Sequence, residues 1–321
     1  MTEFELIQRL IPNLPTNASV IAGAGHDCAI VDIGLADELL LLKTDAVVEG
    51  VHFTPETDAR RVGHKALGRC LSDFAAMAGT PRHAMVTLGL PTGFDADWID
   101  GLYAGMRHLA EQHGIAIVGG ETTRNPERIF MSVNVTGVLP RNRVILRAGA
   151  KPGDAIFVTG ELGGSILGKH LDFEPRLTEA RWLAENFTIH SMMDLSDGIA
   201  GDLRHILQSS GVGAELLGRA IPISRAARQK ARASLPGNGN LEIEVDTSSP
   251  ALLAALTDGE DFELLFTVAS ADAVRLLDAW KQRFSTLKLS CVGKITANPG
   301  MRIQDKFGLR PLNVSGYTHF A

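Results

Sequence analysis

The sequence predicts an α+β protein of two domains, and three observations carry that reading. The chain has 321 residues, more than one hydrophobic core usually organises. Strand-like and helix-like patterns alternate without a steady strand–helix–strand rhythm, which argues against a doubly wound parallel sheet. A polar turn, Arg147-Ala-Gly-Ala-Lys-Pro-Gly-Asp154, ends one pattern and opens another. It divides the chain into domains over residues 1–148 and 149–321.

In the first domain, residues 3–11 have amphipathic helical spacing and stop before Pro12. Strand-like runs follow at 19–22, 28–32 and 38–43, the last with four consecutive leucines. Residues 58–79 read as a helix: Asp58 can cap it, and Gly79 with Pro81 stops it. Its apolar residues Val62, Ala66, Leu67, Cys70, Phe74 and Met77 recur every three or four positions. A strand over 84–90 precedes a helix over 97–113. Strands at 115–118 and 129–138 then flank a turn at Gly119-Gly-Glu-Thr-Thr-Arg124. The second domain begins with a strand over 155–159. A helix starts near Thr178, and a loop over 193–198 feeds a helix over 199–210. Strands at 262–268 and 288–295 enclose a helix over 271–283.

Composition bounds the function. The chain is 45% hydrophobic and 21% charged, as in ordinary globular proteins. Its formal net charge of −6 argues against a general nucleic-acid binder. The N-terminus, Met-Thr-Glu-Phe-Glu-Leu-Ile, is acidic and does not read as a signal peptide. No run is long enough to span a bilayer. Cys28, Cys70 and Cys291 form no CxxC pair and read as buried thiols in a reducing compartment. The cytoplasm is the expected location.

The acids are more telling. Asp27, Asp45, Asp73, Glu121, Asp194 and Asp197 lie in segments that otherwise read as core, among Gly, Ala and branched apolar residues. Carboxylates are costly to desolvate unless something neutralises them. These segments carry few Lys or Arg, so metal cations are implied. Clustered hard oxygen ligands suit Mg²⁺, usually together with substrate phosphates. Individual motifs are weaker. Gly23-x-Gly25 lacks the rest of a nucleotide fingerprint and reads more readily as a plain turn, although Asp27 directly after it favours phosphate contact. Thr44-Asp45, at a strand end, could cap the next turn, and His52 alone could be a structural histidine. Asp194-Leu-Ser196-Asp197-Gly198 precedes a helix, where free N–H groups attract anions, but a simple capping box fits as well. Gly259-Glu260-Asp261-Phe-Glu263 reads as solvated turn acids. No Ser/His/Asp triad or HExxH spacing stands out. The residues thus point to an enzyme that holds a phosphorylated substrate through several Mg²⁺ ions. Phosphoryl transfer tolerates the absence of an evident general base.

Taken in order, the segments resemble the thiamine-monophosphate kinase family, in the group that includes aminoimidazole ribonucleotide synthetase and selenophosphate synthetase. The resemblance rests on Gly25-His-Asp27-Cys-Ala, Thr44-Asp45-Ala-Val-Val-Glu-Gly-Val-His52-Phe, Lys65-Ala-Leu, Leu71-Ser-Asp73-Phe-Ala-Ala-Met, Gly119-Gly-Glu-Thr-Thr-Arg, the 147–154 turn, Asp194-Leu-Ser-Asp197-Gly, Gly259-Glu-Asp-Phe-Glu and Gly316-Tyr-Thr-His-Phe320. It implies an N-terminal α+β domain whose sheet pairs with its twin in a homodimer, and a C-terminal α/β sandwich that completes the active site. It also implies Mg²⁺-dependent phosphorylation of thiamine monophosphate by ATP. By motif position, Asp27, Thr44, Asp45, Asp73, Glu121, Asp194 and Asp197 fall at metal positions, with Asp27, Asp45 and Asp73 at the catalytic centre. Tyr103, Gly120, Glu121, Arg147 and Ser196 fall at ATP positions. His52, Glu260 and Tyr317 fall where the phosphate acceptor is held, and an aromatic ring with an acid suits a cationic thiazolium. Three departures stand out. His26 replaces an acid, Glu121 replaces Asp, and Asp258 replaces the first Gly of a Gly-Gly-Glu-Asp motif. They keep open a weakened paralogue that senses nucleotide or acts as a scaffold, and a related ATP-dependent enzyme with another substrate.

Overall fold

The computed structural model describes residues 3–233, 249–314 and 316–317. They fall into two units. One comprises Thr16–Val144 with Leu171–Arg181. The other draws on Met1–Pro15, Ile145–His170 and Trp182–Ala321. Helix α1 (Glu3–Leu10) precedes the first unit in sequence.

The first unit is built on β1 (Val20–Ala22), β2 (Ala29–Val31), β3 (Glu38–Val48), β4 (Thr80–Leu90), β5 (Ala116–Arg124) and β6 (Phe130–Pro140). They form one sheet in the order β1-β2-β3-β6-β4-β5. Only β4 and β5 are parallel; helix α3 (Ala96–His113) connects them, as a parallel pair requires. Residues of β6 alternate strictly between buried and half-buried, the pattern of a sheet with one covered face. Helix α2 (Ala59–Ala76) contributes to the cover. The Asp58 side chain caps it by accepting the Arg61 N–H at 3.2 Å, worth about 1 kcal/mol. Helices α2 and α3 approach closely through two glycines. A Cβ on Gly63 would lie 1.9 Å from the Leu102 carbonyl oxygen, and one on Gly105 would lie 1.9 Å from that of Arg60. The other sheet face leaves Leu42 and Met85 exposed, at 39% and 46%.

The second unit carries β7 (Ala155–Thr159), β8 (Ile189–Asp194), β9 (Gly213–Leu217), β10 (Leu264–Val268), β11 (Leu289–Thr296), β12 (Gly300–Asp305) and β13 (Gly308–Pro311), in the order β13-β12-β9-β11-β7-β10-β8. Every residue of β7 and β10 is buried, which explains their short unbroken apolar runs. Helices α4 (Lys169–Asp172), α5 (Leu177–Asn186), α6 (Ile199–Ser210), α7 (Arg225–Ala233), α8 (Pro250–Thr257) and α9 (Ala273–Arg283) are the remaining α-helices among the described residues. The core joins Ile156 and Val158 of β7 and Leu265 of β10 to Leu203 and Ile206 of α6 and Leu252 of α8. Each such side chain contributes roughly 1.5–3 kcal/mol on burial.

Several expectations need correction. Thr44 and Asp45 lie inside β3 rather than at its end. The segment Gly119–Arg124 is strand, not turn. Gly120 is needed there because a Cβ would come within 1.7 Å of the Val86 carbonyl oxygen, so the glycines mark a close backbone approach. Asp194 ends β8 and does not belong to a loop. Cys28 and Cys70 are buried, but Cys291 is only half-buried. The acids Asp261 and Glu263 are not solvated turn residues: each is about 1% exposed.

Candidate functional site

In the first unit, the alternation of β3 sets the chemistry. Leu39, Leu41 and Val47 face inward and are buried, so Lys43 and Asp45, at the same parity, face inward too. Thr44 points the other way, and its hydroxyl lies 3.1 Å from that of Ser132. Helix α2 brings Asp73 to the inward side of β3: Lys43 Nζ lies 2.9 Å from Asp73 Oδ1 and 3.6 Å from Asp45 Oδ1. Arg69, one turn earlier on α2, reaches Asp45 at 4.0 Å. Asp27, just before β2, is 3% exposed and Asp73 7%; carboxylate oxygens of the two lie within 4.8 Å of each other.

This changes the electrostatic picture drawn from the sequence. The acids are not without bases: three carboxylates face an ammonium and a guanidinium. Burial pulls the Lys43 ammonium toward deprotonation. The charges of Asp45 and Asp73 and the hydrogen bond to Asp73 outweigh it and hold its pKa well above the usual lysine value. Two thiols border the cluster. Burial, then the charge of Asp73 for Cys28 and of Asp45 for Cys70, pushes both well above the usual thiol range. This disfavours the nucleophilic thiolate form of both. Among these five charged groups one negative charge remains, on oxygen donors alone. Such a set fits a hard divalent ion.

The remaining predicted residues of this unit are spread over other elements. His52 follows β3 in a tight turn; its Nδ1 accepts the Val48 N–H at 3.1 Å, and the buried Lys65 donates to its carbonyl at 2.9 Å. The next residue, Phe53, stacks on Trp98 with ring centroids 5.8 Å apart. Tyr103 is half-buried on α3, and burial raises its pKa. Glu121 is exposed on β5, where its Oε1 accepts the Thr122 N–H at 3.0 Å. His26 pairs with Ala24 in an isolated bridge.

In the second unit, three distant segments meet around the end of β8. The Glu260 N–H donates to the Ser196 carbonyl at 2.7 Å, and the Tyr317 N–H donates to the Asp197 carbonyl at 3.0 Å. The Phe262 N–H bonds the Leu195 carbonyl at 2.8 Å, and the Leu195 N–H bonds the Glu263 carbonyl at 2.8 Å. Ser196, Asp197, Glu260 and Tyr317 are thus brought together by backbone bonds that no local sequence pattern announces. Residues Thr318 to Phe320 of the terminal motif lie outside the described residues.

Asp202, which the sequence reading missed, underlies this loop. It is 1% exposed on the first turn of α6, and its Oδ2 accepts the Asp197 N–H at 3.1 Å. Burial first, then the charges of Asp197 and Asp194, push its pKa well up, and Arg147 opposes them. Arg147, at a predicted ATP position, therefore lies within electrostatic reach of Asp202. The signal for Asp202 was its helical spacing from Gly198, which places it on the buried stripe of α6.

The Glu260 loop is held firmly. Glu260 and Phe262 adopt positive φ, 52° and 49°, a conformation costing about 1–2 kcal/mol for each L-residue. Asp258 and Asp261 accept the N–H groups of Gly164 and Gly163 at 2.9 Å. Glu263 takes the Thr159 hydroxyl and the Lys169 ammonium, each at 2.8 Å. His170 Nδ1 lies 3.0 Å from Glu260 Oε2.

Known proteins match across the same span. Residues 25–139 match the model for the AIR synthase related protein, N-terminal domain, and residues 151–306 the model for its C-terminal domain. The thiamine-monophosphate kinase of Rhodopirellula baltica is 36% identical, over 88% of this chain and 85% of its own. That of Escherichia coli K12 is 32% identical, over 99% and 98%. Among solved structures, AaThiL complexed with AMPPCP and TMP is 27% identical with a TM-score of 0.81, covering 99% of this chain and 97% of that one.

Proposed function

The chain belongs to the AIR synthase related family and, within it, to the thiamine-monophosphate kinases, and on that premise we propose how its residues perform the reaction. The enzyme transfers the γ-phosphoryl group of ATP to thiamine monophosphate, giving thiamine diphosphate and ADP. The observation that supports this best is the convergence on the Asp194–Gly198 segment. There backbone bonds join Glu260 to Ser196 and Tyr317 to Asp197, and in this reading Glu260 and Tyr317 serve the acceptor while Ser196 and Asp197 serve nucleotide and metal. The neighbour AaThiL was solved with AMPPCP and TMP, a nucleotide analogue and an acceptor of these two kinds.

In this reading Asp27, Asp45 and Asp73 form the catalytic group, and with Thr44, Glu121, Asp194 and Asp197 they would hold Mg²⁺. When bound, the metal would neutralise charge on the transferring phosphates. Thr44, whose hydroxyl is on Ser132, would contribute through its main chain. Tyr103, Gly120, Glu121, Arg147 and Ser196 would receive ATP. His52, Glu260 and Tyr317 would receive thiamine monophosphate, with Glu260 and Tyr317 facing its cationic ring. Burial disfavours the thiolate of Cys28 and Cys70, in keeping with direct transfer to the substrate phosphate without a phospho-enzyme. Residues 1–148 would form the ATP- and Mg²⁺-binding, dimerising domain and 149–321 the domain completing the site. No helix among the described residues is long and apolar enough to cross a membrane, and a cytoplasmic location, with neither nucleic acid nor membrane as partner, is the reading we keep.

The test is direct. Purified chain with ATP, thiamine monophosphate and Mg²⁺ should yield thiamine diphosphate and ADP. No product at any Mg²⁺ concentration would favour a nucleotide-binding paralogue. A homodimer is part of the proposal, because pairing with a second copy would cover the open sheet face bearing Leu42 and Met85. Light scattering should report about twice the chain mass of 34.4 kDa; a single species at the chain mass at micromolar concentration would contradict it.

A further inference from the structure

The Lys43 ammonium sits where a metal-binding carboxylate cluster would otherwise need positive charge. Positions 39, 41 and 47, on the same face of β3, are buried and apolar. A residue needed at 43 only for packing would be apolar too, since a partly buried ion pair is a poor source of stability. Lys43 instead contacts two acids on two elements, Asp45 on its own strand and Asp73 on α2. Both contacts fall on Oδ1, as does that of Arg69 with Asp45.

Those contacts limit what else can bind. Mg²⁺ holds oxygen at about 2.0–2.1 Å. An ion on Asp73 Oδ1 would therefore stand no more than about 5 Å from an ammonium that is 2.9 Å from the same oxygen. The two cations would repel in a site shielded from bulk water. Lysine is also suited to act as a resident cation, being a compact point charge on a flexible stem.

We propose that Lys43 is a built-in cation of the catalytic cluster, its ammonium taking one position between Asp45 and Asp73 that a divalent ion would otherwise fill. The site then operates with one metal fewer than its carboxylates alone would bind. This rests on the assignment of Asp45 and Asp73 to the metal cluster, but not on the identity of the phosphate acceptor.

The experiment counts metal rather than turnover. Mn²⁺ bound to the full-length protein is measured by electron paramagnetic resonance, with and without a non-hydrolysable ATP analogue, for the wild type, Lys43→Met and Lys43→Arg. Lys43→Met should bind one additional Mn²⁺ per chain, or bind Mn²⁺ at least about tenfold more tightly, the scale of 1.4 kcal/mol. Lys43→Arg, which keeps the charge, should retain the wild-type count. Lys43→Met leaves Asp73 less compensated, so its folding is checked by circular dichroism in both chelator and Mg²⁺. Folding restored by Mg²⁺ supports the proposal, because the divalent ion then replaces the ammonium. An unchanged count and affinity in folded Lys43→Met would overturn it. So would a failure to fold even with Mg²⁺, which would make Lys43 a structural residue. Failure of the thiamine monophosphate assay leaves this count unaffected, so the two readings fail separately.

Discussion

Two acidic neighbourhoods of the molecule solve the same problem in opposite ways. In the first unit, Asp45 and Asp73 are met by side-chain cations, Lys43 and Arg69. In the second, Asp258 and Asp261 are hydrogen-bonded by fixed backbone N–H groups of Gly164 and Gly163, with Lys230 3.7 Å from Asp258 and Lys169 acting on Asp261 through charge. A mobile ammonium or a metal can exchange partners as phosphate charge arrives and leaves. A backbone N–H cannot, so it serves to hold a loop in one shape. The first arrangement suits chemistry and the second suits positioning, here of Glu260 between two residues that brace it. Glu263 stands between the two modes, bonded to both Thr159 and Lys169.

The largest effect should come from the first neighbourhood. Asp73→Asn keeps the shape of the side chain and removes its charge. We expect activity to fall by at least about two orders of magnitude, the scale for losing a key electrostatic group. Folding should be retained, because Lys43 keeps Asp45 as its counter-ion. Steady-state kinetics beside a circular dichroism melt would check both parts. A variant with near wild-type turnover would remove Asp73 from the chemistry, and the contrast between the two neighbourhoods would lose its first half.

The first neighbourhood was partly legible in the sequence. The three- and four-residue spacing of Val62, Ala66, Cys70 and Phe74 located α2 and put Asp73 close to its buried stripe. Lys43 is harder to see: a period of two from Leu39 and Leu41 places it inward with Asp45, but the apolar signal of the strand stops at these polar residues, where the chemistry begins. Gly119–Arg124 is hidden in the same way, because its glycines resemble a chain break but mark a close approach to Val86. The second neighbourhood was harder to read. The hydrogen-bond partners of the buried Asp261 and Glu263, namely Gly163, Thr159 and Lys169, lie about a hundred residues away. The bonds joining Ser196 to Glu260 and Asp197 to Tyr317 are long-range backbone contacts with no periodic signal. Strands β9, β12 and β13 are short, and the last is exposed throughout, so alternation had little to act on.

A smaller effect, on stability and not turnover, would test the second half of the contrast. Burial raises the pKa of Asp261 from 3.8 to about 7, against the lowering influence of Lys169 and the Gly163 N–H. Above pH 4 the unfolded chain releases this proton while the folded chain keeps it, so stability falls as pH rises. The fall ends near pH 7, where the folded carboxyl ionises too. By linkage its size is about 4 kcal/mol at most. Asp261→Asn keeps an oxygen for the Gly163 N–H and has no proton to lose. Its stability should therefore lack this slope: close to wild type near pH 4, and higher than wild type at pH 8. Denaturant unfolding at a series of pH values would measure the difference, with turnover retained in the variant. A variant less stable than wild type at pH 8 would mean that the ionised carboxylate is held favourably, by Lys169 above all. Asp261 would then belong with the charge-paired acids of the first unit.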